Sequence, residues 1–510
     1  MNSTKANLAL HYVAALCAAL VLYVVSCAPG VLWQDSGLIQ YRICNNDIEG
    51  FLGLALSHPL FYILAIGAKY MPVGAFAYKV NLVSAVAAAV TVANVLLFVR
   101  LWLGRTFPAV IAAVTLALSH TFWRHACIAE TYTLWTALST AELIMLLRYI
   151  RTDRVRYLYW LGLLNGLSIA VHMLAVIPLV CYAVLLILLR NERQIRARDL
   201  AIVSVLWIAG ALPYEYLIVR NMIQTGDVAG TLSSAAFGRS WQGAVLNTSL
   251  SVRMAQENLL YILYNFPTPN ILLVLAGCLG LLKDWTRRGI RKVLLGLLVL
   301  FFVFAFRYTV PDRYAFFIPF YCVVSILMGA GTYWLRKRIS HKAVAFLVLF
   351  FSVLPVGIYT TAPTLAARMH LNIGTRGNIP YRNDYKYFLQ PWKTGYHGAE
   401  RFANQALDGA AENAVIYADV TTVAPLLLAR RRPDVAIVSG TVNSKEAPQL
   451  NEHTIARLLR NRPIYVVSPR RQYCPEFVLK NYDLAQDGIL WRVVERREDS
   501  SRQTGEQAAQ

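Results

Sequence analysis

Apolar runs long enough to cross a bilayer recur along the chain as far as residue 362, separated by short basic clusters. This pattern constrains the fold more than any single motif. A backbone in hydrocarbon must satisfy its own N–H and C=O groups, so each run has to be helical. A span needs about 20 apolar residues, and the runs near 8–28, 80–102, 107–121, 131–150, 157–172, 173–190, 200–219, 262–283, 292–307, 313–335 and 342–362 predict about eleven crossings. The segment from His58 to Met71 is apolar but short, bracketed by Pro59 and Pro72, and is expected to lie at the interface or re-enter. Tyr157 to Arg190 must cross twice, which predicts short or tilted helices around His172.

With 57% hydrophobic and 15% charged residues and a mean hydropathy of +0.46, the 510-residue chain is too apolar for a soluble protein. The net charge of +21 does not indicate nucleic acid, because the basic residues fall between the apolar runs and orient them. Clusters at Arg100–Arg105, Arg148–Arg156, Arg190–Arg198, Lys283–Lys292 and Arg336–Lys342 share one face with only Asp153, Glu192, Asp199 and Asp284. That asymmetry predicts a cytoplasmic amino end, in what is expected to be a bacterial inner membrane. It places outside the first loop (29–79), the Ser119–Thr131 loop, the His172 tip, the Arg220–Glu257 loop, the Arg307–Arg313 loop and the carboxyl-terminal part. The eight cysteines show no CxxC spacing and imply no disulfide framework.

The membrane domain is expected to span 1–363. From residue 364 to 495 the composition becomes that of a soluble α/β domain, with β-rich runs at 414–418, 434–438, 463–467 and 488–494 and helical patterns at Glu400–Leu407 and His453–Arg460. Residues 496–510 form a polar tail expected to be disordered.

On the outer face, the residue types suited to chemistry are few. Asp35, in Trp33-Gln34-Asp35-Ser36-Gly37, suits a general base, or an ordinary helix N-cap in a solvated loop. Arg124 and His125, in Phe122-Trp123-Arg124-His125, precede Glu130, and arginine offers planar, permanently charged donors to a phosphate. Interfacial anchoring fits Arg124 equally well. Arg307 and Arg313 bracket a second outer loop, as phosphate ligands or, through Asp312, as a structural lock. His58, His172, Asp47 and Glu49 complete the candidate pocket. The chain has no phosphate-loop, HExxH, GxSxG or Rossmann glycine motif, so ATP use, zinc proteolysis and serine hydrolysis lack support. No cofactor is expected, no ligand set assigns a metal, and dependence on a divalent ion stays open.

Trp33–Gly37, Ser57-His58-Pro59, Phe122–Tyr132, Gly166–His172, Leu212-Pro213-Tyr214, Val310-Pro311-Asp312, Pro380–Asp384 and Arg432–Val435, in this order, resemble a membrane-protein family. Its animal member is an endoplasmic-reticulum protein O-mannosyltransferase. The family in turn resembles the GT-C glycosyltransferases, which move a sugar from a polyprenyl-phosphate donor at the extracytoplasmic face. The resemblance implies a GT-C-like polytopic α-helical fold with a carboxyl-terminal extracytoplasmic α/β domain. It implies Asp35 as catalytic base with Glu130 and His58 supporting, Arg124, Arg307 and Arg313 on the donor phosphate, and His125, His172, Asp47 and Glu49 in the pocket. Two departures stand out: Leu38 follows Gly37 where the family carries Glu, and Leu60-Phe61-Tyr62-Ile63 replaces Pro-Gly-Tyr-Pro after His58-Pro59. The expected function is transfer of a sugar, mannose among the candidates, to a protein, glycan or lipid acceptor. The rivals are a transporter or flippase for a lipid-linked or anionic solute, and a non-catalytic membrane scaffold.

Overall fold

The computed structural model describes residues 2–283, 288–339, 341–373, 377, 379–429, 431–440, 442 and 448–496. The chain divides into two compact units: one of Met1–Pro29, Arg42–Thr375 and Asp384–Tyr396, the other of Gly30–Tyr41, Arg376–Asn383 and His397–Gln510. The expected boundary at 364 falls inside a helix, and part of the expected first outer loop groups with the α/β unit. Most of the expected tail, 497–510, lies outside the described residues.

The first unit is helical: α1 Asn2–Ser26, α2 Gln34–Cys44 (which begins in the other unit), α3 Pro59–Ala68, α4 Phe76–Leu103, α5 Thr106–Ala117, α6 His120–Ala126, α7 Tyr132–Thr152, α8 Arg156–Val171, α9 Val176–Asn191, α10 Ala197–Thr225, α11 Val228–Phe237, α12 Gln242–Val245, α13 Val252–Asn265, α14 Leu273–Lys283, α15 Arg288–Arg307, α16 Ile318–Arg338, α17 Lys342–Val353, α18 Pro355–Arg368 and α19 Asp384–Leu389. Among the described residues, seven helical stretches are long and apolar enough to cross a membrane, and up to nine if α5 with α6 and α13 with α14 each form one bent span. The expected crossings at 131–150 and 157–172 fall on α7 and α8. Neither reaches that measure, because α8 has only 16 residues and α7 carries Glu142 with Arg148 and Arg151. The apolar segment after His58 is a ten-residue helix with Pro59 in its first turn, where the missing N–H costs nothing.

Burial grades the helices. In the apolar window of α16, 94% of residues are buried, against 11% in that of α1, so α16 is central and α1 peripheral. The exposed Leu10, Val13, Val21 and Val25 of α1 suit lipid. Between helices, Asn94 Nδ2 donates to the Ala137 carbonyl at 3.0 Å and to Thr140 Oγ1 at 3.2 Å, and Asn270 Nδ2 to the Val348 carbonyl at 2.7 Å. Such polar contacts hold helices together where apolar burial does not distinguish a neighbour from lipid.

Two breaks shape this unit. The expected continuous span 107–121 bends by 68° between α5 and α6, and the expected span 262–283 bends by 107° between α13 and α14. Pro267 and Pro269 explain the second, since each removes an N–H donor and pushes its predecessor to extended backbone. The freed carbonyls are answered by side chains: Tyr23 hydroxyl donates to Ala117 (3.1 Å), and Tyr359 hydroxyl lies 3.1 Å from the Asn265 carbonyl. The stretch 228–265, most of it expected as loop, is largely helical.

The second unit carries a five-stranded sheet in the order β2-β1-β3-β5-β4, from β1 Val415–Tyr417, β2 Ala436–Val438, β3 Ile464–Val466, β4 Tyr482–Asp487 and β5 Leu490–Glu495. β1 pairs in parallel with β2 and β3, and β5 runs antiparallel to β3 and β4. Helices α20 Gly398–Gly409, α21 Val423–Ala429, α22 Ile455–Asn461 and α23 Glu476–Asn481 complete it. β4 is absent from the sequence expectation because its side chains are mostly exposed.

α8 and α10 pack backbone to backbone. A Cβ on Gly162 would lie 2.8 Å from the Val203 carbonyl oxygen, one on Gly166 2.1 Å from that of Trp207, and one on Gly210 2.4 Å from that of Leu163. This Gly-x-x-x-Gly edge leaves no room for a side chain. Gly166→Val is therefore expected to cost about 1–3 kcal/mol or more through overpacking. Gly357→Val, where a Cβ meets nothing within 4 Å, is expected to stay within about 0.5 kcal/mol; unfolding midpoints in detergent measure both.

Candidate functional site

All of α6 is buried. Its start is tied to the other broken helix, as the Thr121 N–H donates to Asn265 Oδ1 at 2.9 Å. Irregular backbone at membrane depth is tolerated where it is enclosed in protein, and these breaks carry Arg124 and His125 inside.

Arg124 is 4% exposed. Its guanidinium donates to the Tyr314 hydroxyl and is flanked by the rings of Tyr314, Tyr387 and Phe388, with centroids 5.2–5.3 Å away. Beside it lies Lys393, 3% exposed, whose Nζ donates to the carbonyls of Gln390 and Trp392. The Lys393 backbone N–H donates to the Ser26 carbonyl at 2.7 Å, Trp123 Nε1 donates to Ser26 Oγ at 2.9 Å, and Trp123 packs against Trp392 at 5.3 Å. The segment after α19 is thereby fastened to α1 and α6. Burial, then the neighbouring Arg124 charge, push the Lys393 ammonium well below the ordinary lysine range. His120 packs between Tyr264 and Tyr359. Arg124 Nε and His120 Nε2 are buried without a hydrogen-bond partner among the described residues. The charge of half-buried Glu130 reaches Arg124. Buried cations are costly unless matched, so this cluster suits an anion.

From Arg124 a row of rings continues. His125 is 6.0 Å from Tyr314 and 5.4 Å from Tyr132; Tyr132 is 5.1 Å from His172, and His172 is 4.8 Å from His58. His58 Nδ1 lies 2.8 Å from the Val171 carbonyl, which only accepts, so Nδ1 carries the proton. His172 Nδ1 accepts from the Leu174 N–H at 3.1 Å and has the opposite tautomer. Burial and the Arg42 charge push His58 down to about 4, against the Val171 hydrogen bond, leaving it neutral at pH 7.

The structure thus brings together Arg124, His125, Glu130, His172 and His58. It places the other expected residues differently. Arg313 is ion-paired with Glu257 and donates to Asn258 Oδ1 at 2.9 Å, and Arg307 donates to the Val245 and Asn247 carbonyls. A matched charge and backbone-bound donors leave these arginines less suited to a phosphate than Arg124. Asp47 Oδ1 accepts from the Glu49 and Gly50 N–H groups at 3.0 and 2.8 Å, closing a turn. Glu49 pairs with Arg220 and lines a polar cleft of about 340 Å³ with Asn221, Asp227 and Arg239.

Asp35 belongs to the other unit. It is exposed in the first turn of α2 rather than in a loop, where the helix dipole favours a carboxylate. Gln34 before it has φ 55°, its N–H donates to the Thr421 carbonyl at 3.2 Å, and the Leu32 N–H donates to Gln40 Oε1 at 3.0 Å.

Residues 56–196 match the family model described as the Protein O-mannosyl-transferase TMEM260 N-terminal domain; this stretch holds His58, α6, Glu130 and His172. The fold is similar to that of ArnT from Cupriavidus metallidurans bound to undecaprenyl phosphate, with a TM-score of 0.60 at 14% identity over 94% of this chain and 97% of that one. The likeness to ArnT is one of fold, and the family match is to one stretch of the chain. The apo state of the same ArnT gives a TM-score of 0.59 at 16% identity, again over 94% of this chain and 97% of the other. No curated protein sequence matches it.

Lys393 and His120 were missing from the sequence expectation. His120 was legible, four residues before Arg124 on the same helical face. Lys393 was not, because it lies in a stretch whose composition assigned it to the soluble domain.

The two depressed groups predict a pH dependence. At Lys393 the unfolded chain binds more protons than the fold up to the ordinary lysine value of about 10.4, so stability rises with pH through that window, and Lys393→Met flattens the rise. At His58 the fold binds fewer protons between about 4 and 6.5, so stability falls as pH drops through that range, and His58→Gln removes the fall. Unfolding midpoints across pH 4 to 10 test both signs.

Proposed function

We propose that this protein transfers a sugar, mannose among the candidates, from a polyprenyl-phosphate carrier to a protein, glycan or lipid acceptor at the extracytoplasmic face of a bacterial inner membrane. The observation that carries the reading is the buried Arg124–Lys393 cluster, whose Arg124 Nε has no hydrogen-bond partner among the described residues. The similar ArnT structure, bound to undecaprenyl phosphate, supports a lipid phosphate as the anion.

In the proposed step the acceptor oxygen attacks the anomeric carbon, the carbon–oxygen bond to phosphate breaks, and its electron pair leaves on the phosphate. Arg124 stabilises that developing charge and the Lys393 amine donates a hydrogen bond beside it; donors fixed in a dry site do this without reorganisation. Asp35 takes the acceptor proton as general base, and Glu130 supports the orientation of Arg124. Neutral His58 and His172 act as packing and hydrogen-bonding walls rather than as charged ligands.

The test is transfer from a panel of radiolabelled polyprenyl-phosphate sugars to membrane acceptors. Asp35→Asn is expected to lower kcat by about 10²–10⁴-fold with donor binding intact. Arg124→Gln is expected to weaken both donor binding and turnover. Equal transfer by wild type and Asp35→Asn, or no use of any donor, contradicts the reading.

A further inference from the structure

In open sheets with parallel strands, ligands bind outside the carboxyl ends of the strands where the strand order reverses. In the α/β unit that point lies between β1 and β3, because β1 has β2 on one side and β3 on the other. The turn after β1, residues 418–422, is therefore where a ligand is expected. Here the chain's own Gln34 meets that turn and Gly37 meets the helix that follows it.

The contacts are several and specific. The Gln34 N–H donates to the Thr421 carbonyl at 3.2 Å. A Cβ on Gly37 would lie 3.2 Å from Ala424 Cβ and 2.3 Å from the Leu32 carbonyl oxygen, so only glycine allows this approach. Trp33, 1% exposed, packs against Phe402 with ring centroids 5.4 Å apart. Gln34 holds φ 55°, a conformation that a non-glycine residue retains only where surrounding contacts over-determine it. Asp35 follows Gln34 directly, between that anchor and Gly37.

We infer that the α/β unit is a positioning component of the transferase: its switch-point turn clamps the Gly30–Tyr41 segment and so fixes the direction of the Asp35 carboxylate. This rests on the reading of Asp35 as base. Gln34 and Gly37 are positioning residues, acting through Asp35.

Gln34→Pro removes the donated N–H and forbids a positive φ, whereas Gln34→Gly keeps the N–H and accepts that conformation. In the full-length protein, Gln34→Pro is expected to lower kcat about 10–100-fold with the donor KM unchanged, and to speed amide hydrogen exchange at residues 30–41; Gln34→Gly retains wild-type kcat. Wild-type kcat in Gln34→Pro, or a fall matched by an equal loss of donor binding, overturns the inference. If Asp35→Asn is inactive while Gln34→Pro is not, the clamp alone fails; if Asp35→Asn transfers normally, the base assignment fails. Exchange decides independently of activity: unchanged protection of 30–41 in Gln34→Pro overturns the clamp.

Discussion

A carbonyl freed by a helix break inside a membrane protein has no bulk water to bond, and the helical unit of this chain depends on how two such breaks are satisfied. Tyr23 reaches the Ala117 carbonyl at the end of α5, Tyr359 reaches the Asn265 carbonyl at the end of α13, and Asn265 itself accepts the Thr121 N–H at the start of α6. Because these groups answer one another, α6 can be short, sharply turned and wholly buried. The bends thereby convert what would be a lipid-facing helix end into an interior wall carrying Arg124 and His125.

An interior wall carrying a buried arginine beside a lysine has a chemical consequence. Arg124 and Lys393 are almost fully buried, His120 packs beside them, and Glu130 is only half-buried. An exposed arginine would be solvated and an ion-paired one neutralised, as Arg313 is by Glu257. Arg124 is buried and half-buried Glu130 acts on its charge, and an anion bound during function offsets the cost of that burial further. Aromatic rings around the guanidinium keep water away and strengthen whatever charge interaction forms there.

The helical unit was largely legible in the sequence, because hydrocarbon imposes a length and composition on every crossing. The breaks were not, since Pro267 and Pro269 stand beside a run whose apolarity alone suggests continuity. Arg124, Arg307 and Arg313 look alike by residue type. What separates them is partner choice, and Glu257 lies 56 residues from Arg313. Asp35 was legible as an acid after the first apolar run, but its placement with the α/β unit depends on a contact with Thr421 that no local pattern encodes. β4 escaped notice because its side chains are mostly exposed, although the Asp487-Gly488 pair marks the hairpin leading to β5.

The most direct test of the account is an experimental density map of the protein with undecaprenyl phosphate. The account predicts phosphate density within hydrogen-bond reach of Arg124 Nε and beside Lys393. Phosphate seated on Arg307 or Arg313 instead, or a cluster filled only by protein and water when lipid phosphate is bound elsewhere, would contradict it.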